Sequence, residues 1–197
     1  MKTIIKPAVW KILKLFYNNR NSSLHLRGIA RETKMNESSI SRHLNNLLKQ
    51  GVLKASKEAN LKKFCVVKKQ MPVIFPLFDE EKLENLPLLR RDAIKIYLNK
   101  LEKKPLLVIV FGSTAKETFR KDSDIDILQV SSTKNDDKET IRFVEAQTGL
   151  RLQVFNLTEE QFRKELKMKE DYVIQSALTT GFPVFNAKYY YEAIANE

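Results

Sequence analysis

The sequence of 197 residues contains a single cysteine, Cys65, and two histidines. One cysteine excludes a disulfide framework and a cysteine-based metal site, and it favours a reducing compartment. The longest uninterrupted apolar run, LLVIVF at 106–111, is too short to span a bilayer. His25 precedes a predicted helix and His43 lies toward the core side of another, so neither is expected to be a ligand. We therefore expect a cytoplasmic protein with no membrane partner.

The basic N-terminal segment, residues 1–16, lacks the features of a signal peptide. Lys6, Lys11 and Lys14 interrupt its apolar residues, and no small-residue cleavage site follows. We expect it to lead into the first amphipathic helix of a folded domain. There is no internal repeat or low-complexity segment, and 197 residues suffice for one large domain or two small ones.

The net charge of +11 is unevenly distributed along the chain. Residues 1–70 contain 16 Lys/Arg and 3 Asp/Glu, a net charge of +13. Residues 71–104 carry +1 and residues 105–197 carry −3. A basic module joined to a mildly acidic one indicates two separate tasks, and the basic module is suited to a polyanionic partner.

Three helices are predicted in the first 52 residues. Apolar residues recur at spacings of three and four over 7–19, 26–34 and 36–52. Asn36 is a suitable N-cap for the third helix, and Gly51 is placed to end it. The face opposite the leucines of this third helix carries side chains that contact base edges and phosphates in other proteins: Ser38, Ser41, Arg42 and Asn45, with Ser39 beside the cap.

Two strand-like runs follow, VLKAS at 52–56 and KKFCVVKK at 62–69, joined by the polar stretch KEAN. They predict a β-hairpin with lysines at or near its tip: Lys54, Lys57, Lys62 and Lys63. Helices followed by a basic hairpin resemble the winged helix-turn-helix family, and IARETKMNESSISRHLNNLLKQGVL is similar to the DNA-binding core of microbial transcription regulators. The resemblance covers residues 1–70 and implies binding of double-stranded DNA by the third helix and by Lys62 and Lys63. A winged helix that binds another protein is the alternative.

Residues 71–87 are predicted to be a linker. Pro72, Pro76 and Pro87 fall in this stretch, and prolines interrupt regular structure. The next segment, LLRRDAIKIYLNKLEKK, predicts a helix with an apolar side for burial: Leu89, Ile94, Tyr97, Leu98 and Leu101. We place this helix at the start of a second domain, residues 88–197.

Two aspartates one residue apart lie close to the apolar run at 106–111. That run predicts a buried strand ending at Gly112 and Ser113, where STAKETF can begin a helix. Such a junction presents free backbone N–H groups, and glycine permits close approach of a phosphate. In the next strand, DIDILQV, alternation places Asp124 and Asp126 on one face. Two carboxylates beside a phosphate-binding turn favour binding of Mg²⁺ together with a triphosphate. The alternative, a surface strand with solvated acids, does not explain the Gly-Ser sequence.

Gly-Ser separated by ten residues from Asp-x-Asp resembles the signature of nucleotidyltransferases of the DNA polymerase β superfamily. It is particularly similar to minimal nucleotidyltransferases, some of which are antitoxins. The resemblance covers residues 88–197 and implies an α+β protein with a small mixed sheet flanked by helices. It implies Mg²⁺ on Asp124 and Asp126, an NTP, with ATP expected, on Gly112 and Ser113, and further phosphate contacts from Lys116 and Ser123. The implied reaction is attack of an acceptor hydroxyl on the α-phosphate, with pyrophosphate leaving.

Two features depart from this family pattern. TAKET follows Gly-Ser where the family often has arginines and a glycine, and Glu117 adds a negative charge there. The third carboxylate of active members is expected on the strand RLQVFNL, 151–157, where Gln153 occupies the matching position. An amide binds a metal weakly and cannot accept the acceptor's proton. The acids that would substitute, if the fold brings one near, are Glu145, Glu159 and Glu160.

Three functions fit these patterns. The favoured one is a nucleotidyltransferase that modifies a protein or small-molecule hydroxyl and is localised or regulated by its winged helix. The second is a DNA-binding transcriptional regulator whose degenerate domain senses a nucleotide or a partner protein. The third is an antitoxin that neutralises a toxin partner and represses its own promoter. A homodimer on two-fold DNA sites is the default expectation.

Overall fold

The computed structural model describes residues 5–20, 22–133 and 137–196, and the chain divides into two units between Phe78 and Asp79. Both units combine helices and strands, which confirms the predicted α+β class. Within the described ranges, no helix is both long and apolar enough to cross a membrane. Residues 1–4 of the segment considered for a signal peptide lie outside these ranges.

The first unit packs helices against a three-stranded antiparallel sheet of order β1-β3-β2. In chain order its elements are α1 (Pro7–Asn18), β1 (Leu24–His25), α2 (Leu26–Thr33), α3 (Glu37–Lys49), β2 (Leu53–Glu58), β3 (Leu61–Val66), a 3₁₀ turn (Lys68–Gln70) and α4 (Met71–Ile74). The predicted helices and hairpin are confirmed. The core is formed by apolar residues from each of the three longer helices, among them Ile12, Phe16, Ile29, Ile40 and Leu44.

The ends of α3 are fixed by local interactions. Asn36 Oδ1 accepts the backbone N–H of Ser39 at 2.8 Å, which satisfies one of the donors left free at a helix start. Gly51, just beyond the helix, has a φ of +68°, which glycine adopts without steric cost. The predicted cap and stop are both confirmed.

The segment 71–87 differs from the predicted linker because most of it is helical. It contains α4 and then α5 (Pro76–Asn85). Pro72 and Pro76 lie in the first turns of these helices, where the missing N–H of proline has no intrahelical partner to lose. Phe75 and Phe78 are buried, and each ring centroid lies 5.4 Å from that of Tyr17. These residues therefore belong to the core of the first unit.

The second unit is built on a four-stranded mixed sheet of order β6-β5-β4-β7. Its further elements are α6 (Leu88–Lys100), β4 (Leu107–Phe111), α7 (Gly112–Lys116), β5 (Ile125–Ser131), α8 (Lys138–Thr148), β6 (Leu152–Thr158), α9 (Glu159–Met168), α10 (Tyr172–Thr180), β7 (Phe182–Phe185) and α11 (Ala187–Ala195). Strands β5 and β6 are parallel, and the other neighbouring pairs are antiparallel. Strand β4 is buried throughout, as its apolar sequence predicts.

Helix α6 buries most of the predicted side, with Ile94, Tyr97 and Leu101 in the core, but its first predicted residue is wrong. Leu89 was expected in the core and is 53% exposed, whereas Arg90 is 4% exposed. The helix begins at Leu88, so Leu89 lies in its first turn, and the stripe that faces the sheet starts one residue later and continues through Ala93, Ile94, Tyr97 and Leu101. The Tyr97 hydroxyl donates to Gln129 Oε1 on β5 at 2.8 Å, so a buried hydrogen bond fixes the helix against the sheet.

Candidate functional sites

Asp126 lies near the start of β5, at the end of the sheet where β5 and β6 begin and β4 ends. It pairs with Phe111 on β4 and with Gln153 on β6. Residues paired across neighbouring strands direct their side chains to the same face, so these three share one face of the sheet. Asp124 precedes the first residue of β5, Ile125. The Gly-Ser sequence directly follows Phe111, so the strand pairing brings the two halves of the predicted motif to one place.

Gly112 is in contact with the Asp126 carboxylate. Its φ is +65°, in the left-handed region that disfavours other residues. A Cβ built on Gly112 would overlap Asp126 Oδ2 and would lie 2.9 Å from Asp126 Cγ. Glycine is therefore favoured here by the backbone conformation and required by the space that the carboxylate occupies.

The two aspartates carry charge that the protein only partly compensates. Burial raises the pKa of Asp126, the negative charge of Asp124 raises it further, and Arg90 opposes both effects. Two hard oxygen ligands whose charges repel fit a divalent cation such as Mg²⁺. Among the described residues, no group of three or more His, Cys, Asp or Glu could hold a metal ion.

One face of α3 presents the residues predicted to bind DNA. Ser38, Arg42 and Asn45 are exposed, and Ser39 and Ser41 are half-buried. The Ser38 hydroxyl donates to Asn36 Oδ1 at 3.0 Å, and the Ser39 N–H donates to the same oxygen. The Ser38 hydroxyl therefore serves the helix cap, and Arg42 and Asn45 are the predicted residues of this face that are exposed and make no contact with the cap.

The hairpin places Lys62 and Lys63 on opposite faces, since successive strand residues alternate. Lys62 pairs with Lys57 of β2, and its Nζ lies 5.4 Å from the centre of the Phe64 ring. Lys63 Nζ forms an ion pair with Glu58 at 2.6 Å. Two lysines directly opposite each other on neighbouring strands repel, and a phosphate bound between them would relieve this repulsion. The Lys57 and Lys62 pair is therefore the stronger candidate for a phosphate contact.

Comparison with known families separates the same two regions. Residues 91–181 match the family model described as a nucleotidyltransferase domain, and residues 6–55 match that of bacterial regulatory proteins of the arsR family. The chain carries an ArsR-family helix-turn-helix domain and a nucleotidyltransferase domain.

A solved structure described as "Crystal structure of the toxin-antitoxin with AMP-PNP" is 19% identical to this chain with a TM-score of 0.41, and the match covers 53% of this chain and 80% of that chain. At that TM-score the likeness carries no functional argument. No curated protein matches the chain.

The remaining predicted residues of the nucleotidyltransferase domain are less well placed. Ser123 Oγ accepts the backbone N–H of Arg120 at 2.8 Å, so this hydroxyl stabilises a turn. Lys116 is the last residue of α7, at the opposite end from Gly112, and is exposed. The next residue, Glu117, is exposed and left-handed with a φ of +58°. Ser113, in contrast, lies in the first turn of α7 beside Gly112.

Glu145, the first candidate substitute for the third carboxylate, is engaged away from the aspartate pair. Glu145 Oε1 accepts the N–H of Leu152 at 3.0 Å. Because the carbonyl of Arg151 bonds to β5, the N–H of the next residue points to the outer edge of β6, so Glu145 lies on the far side of that strand.

The other two candidate acids lie at the opposite end of the sheet. Glu159 and Glu160 follow Thr158, which pairs with Ser131, five residues beyond Gln153. Five residues of strand span about 16 Å. The carboxylate of Glu159 is bonded to Arg163 and Tyr189. The expectation that one of these acids substitutes for the third carboxylate is therefore not supported by the fold.

Two residues close to these candidate sites, Arg90 and Lys49, were not predicted from the sequence. Arg90 of the nucleotidyltransferase domain is buried beside the site, where burial lowers its pKa and the charges of Asp124 and Asp126 oppose that shift. Arg90 lies three and four residues before Ala93 and Ile94, and this spacing places it on the same buried face of α6. Lys49 of the helix-turn-helix domain is exposed one turn beyond Asn45 on the same face of α3, and the same spacing rule would have found it.

Proposed function

We propose that this protein binds double-stranded DNA through its helix-turn-helix domain. We further propose that its nucleotidyltransferase domain catalyses Mg²⁺-dependent transfer of a nucleoside monophosphate from an NTP, with ATP expected, to a hydroxyl acceptor. One observation carries the proposal. The contact between Gly112 and the Asp126 carboxylate unites the Gly-Ser turn and the aspartate pair in one site, inside a domain that matches the nucleotidyltransferase family.

The residues of this site fit a metal-bound triphosphate. Asp124 and Asp126 would hold Mg²⁺, and the backbone at Gly112 and Ser113 would bind phosphate oxygens, with lesser contacts from Lys116 and Ser123. A bound cation would offset the negative charge of the triphosphate and of the two carboxylates. The acceptor oxygen would form a bond to the α-phosphorus as the bond to pyrophosphate breaks. The acceptor's proton would leave to water, because Gln153 cannot accept it.

A second candidate function is favoured by the pairing of Gln153 with Asp126. Without a third carboxylate, the same site would bind an NTP and a cation without turnover. The protein would then be a nucleotide-sensing regulator of transcription, or an antitoxin that also contacts a toxin partner. The two functions share nucleotide binding and differ only in whether pyrophosphate is released.

Incubation of the full chain with Mg²⁺ and each α-labelled NTP tests the transfer reaction. We expect released pyrophosphate and a labelled acceptor, both abolished in Asp124→Asn and Asp126→Asn. Asp122→Asn is the matched control, because Asp122 is exposed two residues before Asp124 and should leave turnover unchanged. Nucleotide binding without pyrophosphate release would favour the sensing regulator, and absence of binding would reject both functions.

DNA binding is tested by fluorescence anisotropy of labelled duplex DNA over a series of salt concentrations. We expect Arg42→Ala to weaken binding to a preferred sequence by about tenfold or more, as loss of a base or phosphate contact does. Lys62→Ala should lower the salt slope by about one, because one fewer counterion is released. The control Lys11→Ala removes an exposed charge from α1. Equal effects of all three substitutions would contradict a specific DNA-binding face.

A further inference from the structure

A buried arginine connects the two halves of the candidate nucleotide site. Arg90 is 4% exposed, and its guanidinium lies 4.1 Å from the centre of the Phe119 ring. Removal of a guanidinium from water is unfavourable unless its N–H groups are bonded. The partners of Arg90 therefore indicate why a charged residue occupies the apolar stripe of α6.

The hydrogen bonds of Arg90 reach two separate elements. Nη1 donates to Thr114 Oγ1 at 2.9 Å and to the backbone carbonyl of Asp124 at 3.5 Å. Nη2 donates to the backbone carbonyls of Ser123 at 2.7 Å and Arg120 at 3.0 Å. One planar group thus joins α7, which begins with Gly-Ser, to the loop that carries Asp124 and leads into β5, where Asp126 lies.

These bonds leave the metal-binding side chains free. Arg90 bonds to Asp124 through the backbone carbonyl, and none of its described hydrogen bonds ends on a carboxylate. Its charge nevertheless acts through space on Asp124 and Asp126. Lysine would keep the charge, but a single ammonium group on a flexible stem cannot span acceptors on both elements in one plane.

We propose that Arg90 is a positioning residue of the nucleotide site. It holds the loop 119–124 against the Gly-Ser turn, so that Asp124 and Asp126 form a divalent-cation site before the nucleotide arrives. This role rests on the proposed nucleotide binding, but it makes a separate claim about the loop that can be measured without nucleotide.

The test compares Arg90→Lys and Arg90→Met with the wild type as full-length proteins. Arg91→Met is the matched control, since the neighbouring Arg91 bonds to Glu84 on α5 and not to the loop. Hydrogen exchange is measured for residues 117–124 and for β6, which makes no hydrogen bond to Arg90. Binding of a fluorescent ATP analogue is titrated with Mg²⁺, and Mn²⁺ binding is measured directly without nucleotide.

Both Arg90 variants should accelerate exchange at 117–124 while leaving β6 unchanged. Both should also raise the Mg²⁺ and Mn²⁺ concentrations for half-saturation by about 10- to 100-fold, as loss of a group that orients metal ligands does. Arg91→Met should do neither. Arg90→Lys keeps the charge and carries the test if Arg90→Met does not fold.

Three results would overturn the positioning role. One is unchanged exchange at 117–124, and another is equal acceleration in β6, which would indicate support of the whole domain. The third is faster loop exchange with unaltered cation binding. If the wild type binds Mn²⁺ but no nucleotide, the proposed function fails, while loop exchange and Mn²⁺ affinity still decide the role of Arg90.

Discussion

Gly112→Ala tests the geometry of the nucleotide site directly. The added methyl group destabilises the fold in two independent ways, through the backbone conformation and through overlap with Asp126. At a φ of +65°, a side chain costs about 1–2 kcal/mol relative to glycine. The new methyl group would also displace the Asp126 carboxylate, and an off-rotamer side chain costs about 0.5–1.5 kcal/mol more. We therefore expect a loss of about 2–3 kcal/mol, which lowers the Tm of the second unit by roughly 6–15 °C.

Gly149→Ala is the matched control in the same unit. Gly149 ends α8 with a φ of +68°, and among the described residues no atom from outside the local chain lies within 4 Å of a Cβ built there. It should show only the backbone cost of about 1–2 kcal/mol. Far-UV circular dichroism follows unfolding of the full chain, and fluorescence of Trp10, the single tryptophan, reports on the first unit alone. Mg²⁺-dependent nucleotide binding should be lost in Gly112→Ala and kept in Gly149→Ala.

Equal losses of stability in the two alanine variants, with nucleotide binding retained in both, would contradict an overlap between the new methyl group and the Asp126 carboxylate. A double-mutant cycle gives a second check. Adding Asp126→Ala to Gly112→Ala removes the displaced carboxylate, so the pair should be more stable than the sum of the single changes by about 1 kcal/mol. Additive losses would mean that the contact between Gly112 and Asp126 does not determine the effect.

The remaining predictions concern charge and hydrogen bonding in the second unit. Asp126→Asn should raise the Tm of the metal-free protein near neutral pH, because burial and then Asp124 raise the pKa of Asp126 in the folded state. Protonation of Asp126 therefore stabilises the folded state. This stabilisation is complete below the unfolded-state pKa of about 3.9 and is lost as the pH rises through the higher pKa of the folded state. The variant should lack that decline, and parallel curves of Tm against pH for the two proteins would contradict the prediction. Tyr97→Phe should cost about 1–3 kcal/mol in urea denaturation, since Gln129 loses a buried donor, whereas Tyr172→Phe, at a side chain 92% exposed, should change stability by less than about 0.5 kcal/mol.

Features set by short-range interactions could be predicted from the sequence. The helices of the first unit follow from apolar spacing, and α3 begins and ends where Asn36 and Gly51 act on neighbouring backbone groups. These interactions span a few residues or repeat with a fixed period, so one sequence is enough to read them.

The tertiary structure decided what depends on contacts between distant residues. Only the packing of α6 shows that Arg90 rather than Leu89 is buried, and the partners of Arg90 lie 24 to 34 residues away. Only the strand register excludes Glu159 and Glu160 from the aspartate pair. The sequence by itself determined the two kinds of domain and the motif at Gly112 and Asp126. Which side chains surround that motif depended on the fold, because periodicity identifies a face of an element but not the element that packs against it.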